Sequence, residues 1–273
     1  MYKKTEFDNG LKLATNHMPG MESLAVGIWI KAGSRNEDER NSGISHFLEH
    51  MLFKGTSSRN CRKLKEDIEG RGGSLNGFTS EEMSCFLAKM SFKHSGIALD
   101  VLSDMVLNAS IDPEEVERER GVITEEIRMY QDLPNHHVHD ILAEIMWHGN
   151  MLGLPIAGSI DSVSAILRND LAEYRNINYI PENITVVLCG NLEHDNLESR
   201  VKKIFKNKTK GKAAPVSAFH NSQSKPAIKI LHKDTEQAHL CIGLHSFGRN
   251  HRDRYALSLL HIILGANMSS RLF

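Results

Sequence analysis

The chain has 273 residues, of which 40% are hydrophobic and 25% charged, a composition typical of a globular protein with a packed core. The 33 basic and 34 acidic residues leave a formal charge of −1, so neither nucleic acid nor an acidic membrane is favoured as a partner. The N-terminus has no apolar signal segment, no run is long enough to span a membrane, and the four cysteines are scattered, which together predict a cytoplasmic protein.

The first part of the chain is typical of strands. The turn signal Asp8-Asn9-Gly10 lies between Lys4–Phe7 and Leu11–Asn16 and predicts a hairpin. The apolar run Leu24–Ile30 is short enough for a buried strand. We expect the polar loop 33–42 to lead from this strand into a helix.

That helix carries the motif His46-Phe47-Leu48-Glu49-His50. Histidines four residues apart lie on one helical face, and two imidazoles with one oxygen ligand are a known zinc set. The carboxylate between them can take a proton from a water molecule whose pKa the metal lowers. This order of residues is the inverzincin signature. A buried helix with hydrogen-bonded histidines is the alternative.

Periodicity and caps predict the elements that follow the motif. In chain order they are helix Cys61–Glu69, strands Ser74–Thr79 and Met83–Met90, helices Ser95–Leu107, Pro113–Tyr130, Asn135–Trp147 and 161–178, strand Ile184–Gly190, helix Glu193–Phe205, strands Ala227–Leu231 and Ala238–Leu244, and helix Arg252–Leu264. The basic, proline-containing segment 207–226 is predicted to be a linker. We therefore expect a unit at 1–206 and the beginning of a second α/β unit at 227–273.

Five segments of the sequence resemble the insulinase/pitrilysin zinc metallopeptidases. They are residues 46–56, 73–81, 117–127, 152–158 and 179–183. The resemblance covers essentially the whole chain and is closest to bacterial members related to the β-subunit of mitochondrial processing peptidase. It implies an α+β fold, with an antiparallel-rich sheet packed against helices, followed by the start of a second similar unit.

The resemblance also implies the roles of individual site residues. His46, His50 and Glu126 are expected to bind one Zn²⁺ per chain, with Glu49 as the general base. Glu126 lies 126 − 50 = 76 residues after His50, which matches the family's spacing, whereas its neighbour Glu125 does not. Glu119 is expected to lie near the metal ligands and to fix the orientation of their imidazole rings. The histidines at 136, 137, 139 and 148 share no clear ligand spacing with a carboxylate, so we predict no second metal there.

In this family a substrate peptide is thought to add as a strand to a sheet edge beside the metal. The resemblance places that edge at the Asn76 region and at Met83–Lys89. The expected contact residues are Asn76, Ser84, Cys85, Phe86, Leu87 and Ala88. An ordinary hairpin without a binding role is the alternative.

The predicted function is that of a zinc metalloendopeptidase acting on peptides or unfolded protein segments. In family members two similar units enclose a chamber, and this chain ends at Phe273, before the second unit is complete. We therefore expect either that the chain is a fragment of a longer protein or that a separate half-unit, a partner chain or a homo-oligomer supplies the rest. The alternative is a metal-loaded module that binds peptide or assembles subunits without cleaving. A purely structural subunit ranks last, because both ligands of the motif and the base are intact.

Overall fold

The computed structural model describes residues 2–213, 215–234 and 236–273. Met1, Ala214 and Thr235, which the predicted units and linker include, lie outside the described residues. The strands are β1 (Tyr2–Glu6), β2 (Lys12–His17), β3 (Ser23–Ile30), β4 (Ser74–Thr79), β5 (Ser84–Ser91) and β6 (Ile184–Gly190). They form a six-stranded sheet in the order β1-β2-β6-β3-β5-β4, in which β2 and β6 are parallel and the other pairs are antiparallel.

The helices largely follow the predicted bounds. They are α1 (Ile44–Leu52), α2 (Cys61–Ile68), α3 (Ser95–Asn108), α4 (Pro113–Asp132), α5 (Pro134–Met146), α6 (Ile160–Ala165), α7 (Arg168–Asn178), α8 (His194–Ile204) and α9 (Arg254–Leu264). None of the described helices is both long enough and apolar enough to cross a bilayer.

One face of the sheet forms the core because alternate strand residues share a side. Ile28 on β3 lies opposite both Phe86 on β5 and Val186 on β6, and all three side chains are buried. Helix α3 packs on β3 and β5, and Phe47 and Leu48 of α1 belong to the same apolar cluster. The α+β architecture predicted from the sequence is confirmed, and it fixes α1 on the buried side of the sheet.

The predicted helix 161–178 is two helices, α6 and α7. The chain leaves the helical conformation at Ile166 and Leu167, both of which have extended backbone angles. The carboxylate of Asp170 accepts a 2.7 Å hydrogen bond from the backbone N–H of Leu167, which begins the new helix. This local cap interrupts an apolar pattern that is continuous in the sequence.

The predicted strands Ala227–Leu231 and Ala238–Leu244 are wrong, because neither segment forms a strand in the structure. A strand needs a neighbour for its backbone hydrogen bonds, and no described strand pairs with either segment. The chain divides into two compact units, Met1–His239 and Leu240–Phe273. The predicted division into 1–206, a linker and 227–273 stays a prediction.

Candidate metal centre

The helix that carries the two histidines begins at a glycine that the local backbone requires. Gly43 has φ +94°, a left-handed conformation that residues with a side chain rarely adopt. A Cβ atom there would lie 2.5 Å from the carbonyl oxygen of Ala157. The backbone N–H groups of Gly43 and Ser45 each donate a 2.8 Å hydrogen bond to the carboxylate of Glu37. Glu37 therefore satisfies donors in the first turn of α1.

Glu37 is buried, and burial raises its pKa to about 7, although the hydrogen bonds from Ser45 and Gly43 favour the charged form. In the sequence this residue falls in the segment predicted to be a polar loop. No local signal marks it, because it lies six and eight positions before the residues that it caps, outside the spacing of a capping box.

Three predicted ligands meet beside α1. The Nε2 atoms of His46 and His50 lie 3.9 and 3.6 Å from Oε2 of Glu126, which reaches them from α4. One ligand atom from each residue lies within 4.8 Å of the other two. Ligands about 2.0–2.1 Å from a tetrahedral zinc ion are about 3.3 Å apart, so this set fits zinc with a small inward movement. Among the described residues this is the one such group of histidine, cysteine and acidic side chains.

The side chains of the two adjacent glutamates point in different directions. Glu126 faces the histidines, whereas the side chain of Glu125 is 72% exposed and pairs with Arg128 on the same helix. Successive helical residues are about 100° apart, so two neighbours cannot both face α1. The geometry therefore favours Glu126, as the family spacing does.

His50 is oriented by a chain of polar contacts. Its Nδ1 atom lies 2.9 Å from Oε2 of Glu119, and Oε1 of Glu119 lies 2.5 Å from the ammonium nitrogen of Lys54. An ionised carboxylate can only accept, so Nδ1 carries the proton and Nε2 keeps the lone pair that a metal needs. Glu119 thus lies beside His50, and its predicted role of orienting the ligands stays a prediction. Lys54 was not assigned a role from the sequence.

His46 is held differently. Burial, together with the nearby His50, lowers the pKa of His46 to about 4, so its ring is neutral at neutral pH. Neutral imidazole is the form that binds a metal. Its Nδ1 atom is buried and has no hydrogen-bond partner among the described residues. Packing rather than a carboxylate therefore orients this ring.

Glu49, the predicted general base, points at the sheet. Its Oε2 atom accepts a 2.6 Å hydrogen bond from the hydroxyl of Thr79 on β4. Burial raises the pKa of Glu49, and the charge of Glu126 adds to this rise. Thr79 was missed in the sequence because only tertiary packing brings it to Glu49, thirty residues away along the chain.

The predicted substrate edge is partly wrong. β4, with Asn76, is the edge strand, but β5 lies inside the sheet between β3 and β4. The backbone of Ser84–Ala88 is therefore paired on both sides and offers no free edge to a peptide. Ser84, Cys85, Phe86 and Ala88 are also buried, and Leu87 is half-buried. Burial, with a smaller contribution from the charge of Glu49, raises the pKa of Cys85 to about 12, so its thiol stays protonated.

A groove of about 770 Å³ adjoins the metal centre. His46, Glu49 and Glu126 line it together with apolar side chains that include Phe78 and Trp147. Histidines of α5 also line the groove, but they form no further candidate metal site among the described residues. The groove leaves space for an extended chain beside the ligands.

Comparison with known proteins decides the family. The profile of the family described as "Insulinase (Peptidase family M16)" matches residues 12–160. The chain belongs to this family. A second profile, described as "Peptidase M16 inactive domain", matches residues 165–273. The family predicted from the sequence is thereby confirmed.

Bacterial relatives of this chain are described as uncharacterized zinc proteases. The chain is 37% identical to an uncharacterized zinc protease, YmxG, of Bacillus subtilis, covering 100% of this chain and 66% of that protein. It is 36% identical to an uncharacterized zinc protease of Mycobacterium leprae, covering 99% of this chain and 61% of that protein. The chain thus spans less than two thirds of the length of these relatives.

Solved structures show the same fold. The periplasmic protease PqqL from Escherichia coli superposes with a TM-score of 0.73 at 23% identity, covering 82% of this chain and 26% of that one. Pitrilysin superposes with a TM-score of 0.70 at 20% identity, covering 80% of this chain and 24% of that one.

Proposed function

We propose that this chain carries the catalytic site of a zinc-dependent metalloendopeptidase that cleaves peptides or extended protein segments. The observation that carries the proposal is the meeting of His46, His50 and Glu126 beside a groove that Glu49 also lines. The zinc proteases among the relatives support the choice of metal. The predicted cytoplasmic location stays a prediction.

The chemistry follows from the positions of the side chains. When bound, Zn²⁺ would polarise the scissile carbonyl and lower the pKa of a water molecule beside it. Glu49 takes the proton from the attacking water and returns it to the leaving amine. Thr79 holds the carboxylate of Glu49 in place through its hydroxyl. Glu119 keeps the Nε2 lone pair of His50 directed at the metal.

The peptide is proposed to bind as an added strand on β4. This strand ends the sheet, and its last residue, Thr79, contacts the base. Backbone hydrogen bonds to an edge strand are largely independent of sequence, which suits a peptidase acting on varied segments. Asn76 lies on this edge and is exposed, and it stays a proposed contact residue through its backbone.

A second half-unit, a partner chain or another copy of this chain is proposed to complete the enzyme. This chain spans 61–66% of its two relatives described above. Its last compact unit exposes large apolar side chains such as Ile242 and Leu244.

The test is peptide turnover by the purified chain, alone and with a separately produced remainder of a relative such as the Bacillus subtilis protein. A quenched fluorescent peptide should be cleaved in the presence of zinc, and cleavage should stop after chelation and return when zinc is restored. If both preparations bind zinc but neither cleaves, the chain is the non-cleaving, metal-loaded module instead. If zinc does not bind, the proposal fails at its first step.

A further inference from the structure

Lys54 occupies a position that neither the motif nor the proposed mechanism uses. It follows His46 and His50 at the same four-residue spacing, two residues beyond the end of α1. Its ammonium nitrogen lies 2.5 Å from Oε1 of Glu119, and the Lys54 side chain is only 26% exposed. The other carboxylate oxygen of Glu119 bonds to His50.

The two carboxylate oxygens of Glu119 have different partners: Oε1 contacts Lys54, and Oε2 contacts His50, a proposed metal ligand. Its side chain is 6% exposed, and an ionised carboxylate removed from water is costly unless a cation pairs with it. Among the described contacts, Lys54 is the lysine that pairs with this carboxylate. If Lys54 is lost, Oε1 of Glu119 loses this partner, and the carboxylate can turn toward water.

This movement disturbs His50. A carboxylate that turns away leaves the Nδ1–H of His50 without its acceptor, so the ring is no longer held in one tautomer. In the other tautomer Nε2 carries the proton and cannot bind a metal. Lys54 thus affects metal binding through Glu119 and His50, without contacting the metal itself.

We infer that Lys54 is a positioning residue, which holds the carboxylate of Glu119 in place so that His50 presents the lone pair of Nε2 to the metal. The inference rests on the proposed zinc site. A merely structural role would be to tie the end of α1 to α4, and the experiment must separate the two.

The chain contains a control for the loss of a lysine charge. Lys63 pairs with Asp67 at 2.7 Å, and the Asp67 side chain is 9% exposed, so this pair also joins a lysine to a largely buried carboxylate. Neither residue belongs to the candidate metal centre. Lys63→Met therefore removes the same charge as Lys54→Met at a pair outside the metal centre, where Arg59 and Arg71 remain as partners of Asp67.

The experiment measures zinc affinity of the full chain by competition with a chromogenic chelator. Lys54→Met should weaken binding about 10–100-fold, the range for loss of a group that supports a metal ligand. Lys63→Met should leave zinc affinity unchanged, and Lys54→Arg, which keeps the charge, should restore most of it. In a Glu119→Gln background Lys54→Met should have no further effect, because a neutral amide needs no cation.

Nitrogen-15 spectra of the His50 ring supply a second readout that a structural tie would not move. Wild-type His50 should show a protonated Nδ1, and Lys54→Met should show a mixture of tautomers. Wild-type zinc affinity and an unchanged tautomer in Lys54→Met would overturn the inference while leaving the zinc site standing. Failure of the wild-type chain to bind zinc would overturn both.

Discussion

The two compact units use similar apolar residues in different ways. In Met1–His239, Leu188 of β6 is completely buried and its neighbours on β2 and β3 pair with it through backbone hydrogen bonds. In Leu240–Phe273, Leu244 is 85% exposed, and the large apolar residues of α9 are 37–67% exposed. An apolar pattern therefore becomes a core only where other elements cover it, and the candidate chemistry lies entirely in the unit where they do.

The largest expected effect is on catalysis in the first unit. Glu49→Gln keeps the side-chain size but removes the base, so turnover should fall about 10²–10⁴-fold at unchanged zinc content. Glu125→Gln, the same change at an exposed position on α4, is the control and should turn over normally. Wild-type turnover by Glu49→Gln at matched zinc content would remove this residue from the mechanism.

The next effect is on stability and separates the two units directly. Leu188→Ala should lower the free energy of unfolding by about 2–5 kcal/mol, because it leaves a cavity in the core. Leu244→Ala should change it by less than about 0.5 kcal/mol. Urea unfolding of the first unit can be followed by the fluorescence of Trp29 and Trp147, which both lie in it, and unfolding of α9 in the second unit by far-UV circular dichroism. A similar loss in Leu244→Ala would mean that Leu244 is covered in solution.

A smaller effect concerns the buried acid at the start of α1. The pKa of Glu37 rises from about 4.5 to about 7 on folding. The folded state therefore binds this proton more tightly, so the stabilisation is fully present below about pH 4.5 and is lost as the pH rises through 7. Between pH 5 and 8, Glu37 should account for a decrease on the order of 2–3 kcal/mol in the free energy of unfolding.

Chemical denaturation of wild type and Glu37→Gln at pH 5 and at pH 8 tests this predicted decrease in the free energy of unfolding. The variant should lack most of the decrease, whereas Asp253→Asn, at an exposed acid of the second unit, should keep it. An identical pH dependence in wild type and Glu37→Gln would show that the carboxyl titrates normally.

Much of the fold was predictable because periodicity and caps are local signals. Strand β6 and the capped start of α4 at Asp112 and Pro113 were placed closely for that reason. Sheet order was not, because β2 pairs with β6 about 170 residues later, and nothing in the strand sequences records that pairing. The misplacement of β5 at the edge and the two strands wrongly predicted after residue 226 have the same cause.

The site residues also divide into those that the sequence predicts and those that it does not. Helical spacing alone places His46 and His50 on one face, while Glu126 followed from the family resemblance, since its distance along the chain carries no physical signal. Glu37, Thr79 and Lys54 were missed because each acts through a contact that exists only after folding. Predicting such supporting residues requires the packing of α1 against β4 and α4.

The central claim is that His46, His50 and Glu126 form one zinc site. Elemental analysis of the purified chain tests it most directly, with Glu126→Gln and the adjacent Glu125→Gln as a matched pair. We predict about one zinc per chain in wild type and in Glu125→Gln, and loss of stoichiometric zinc in Glu126→Gln. Full zinc occupancy in Glu126→Gln would contradict the assignment.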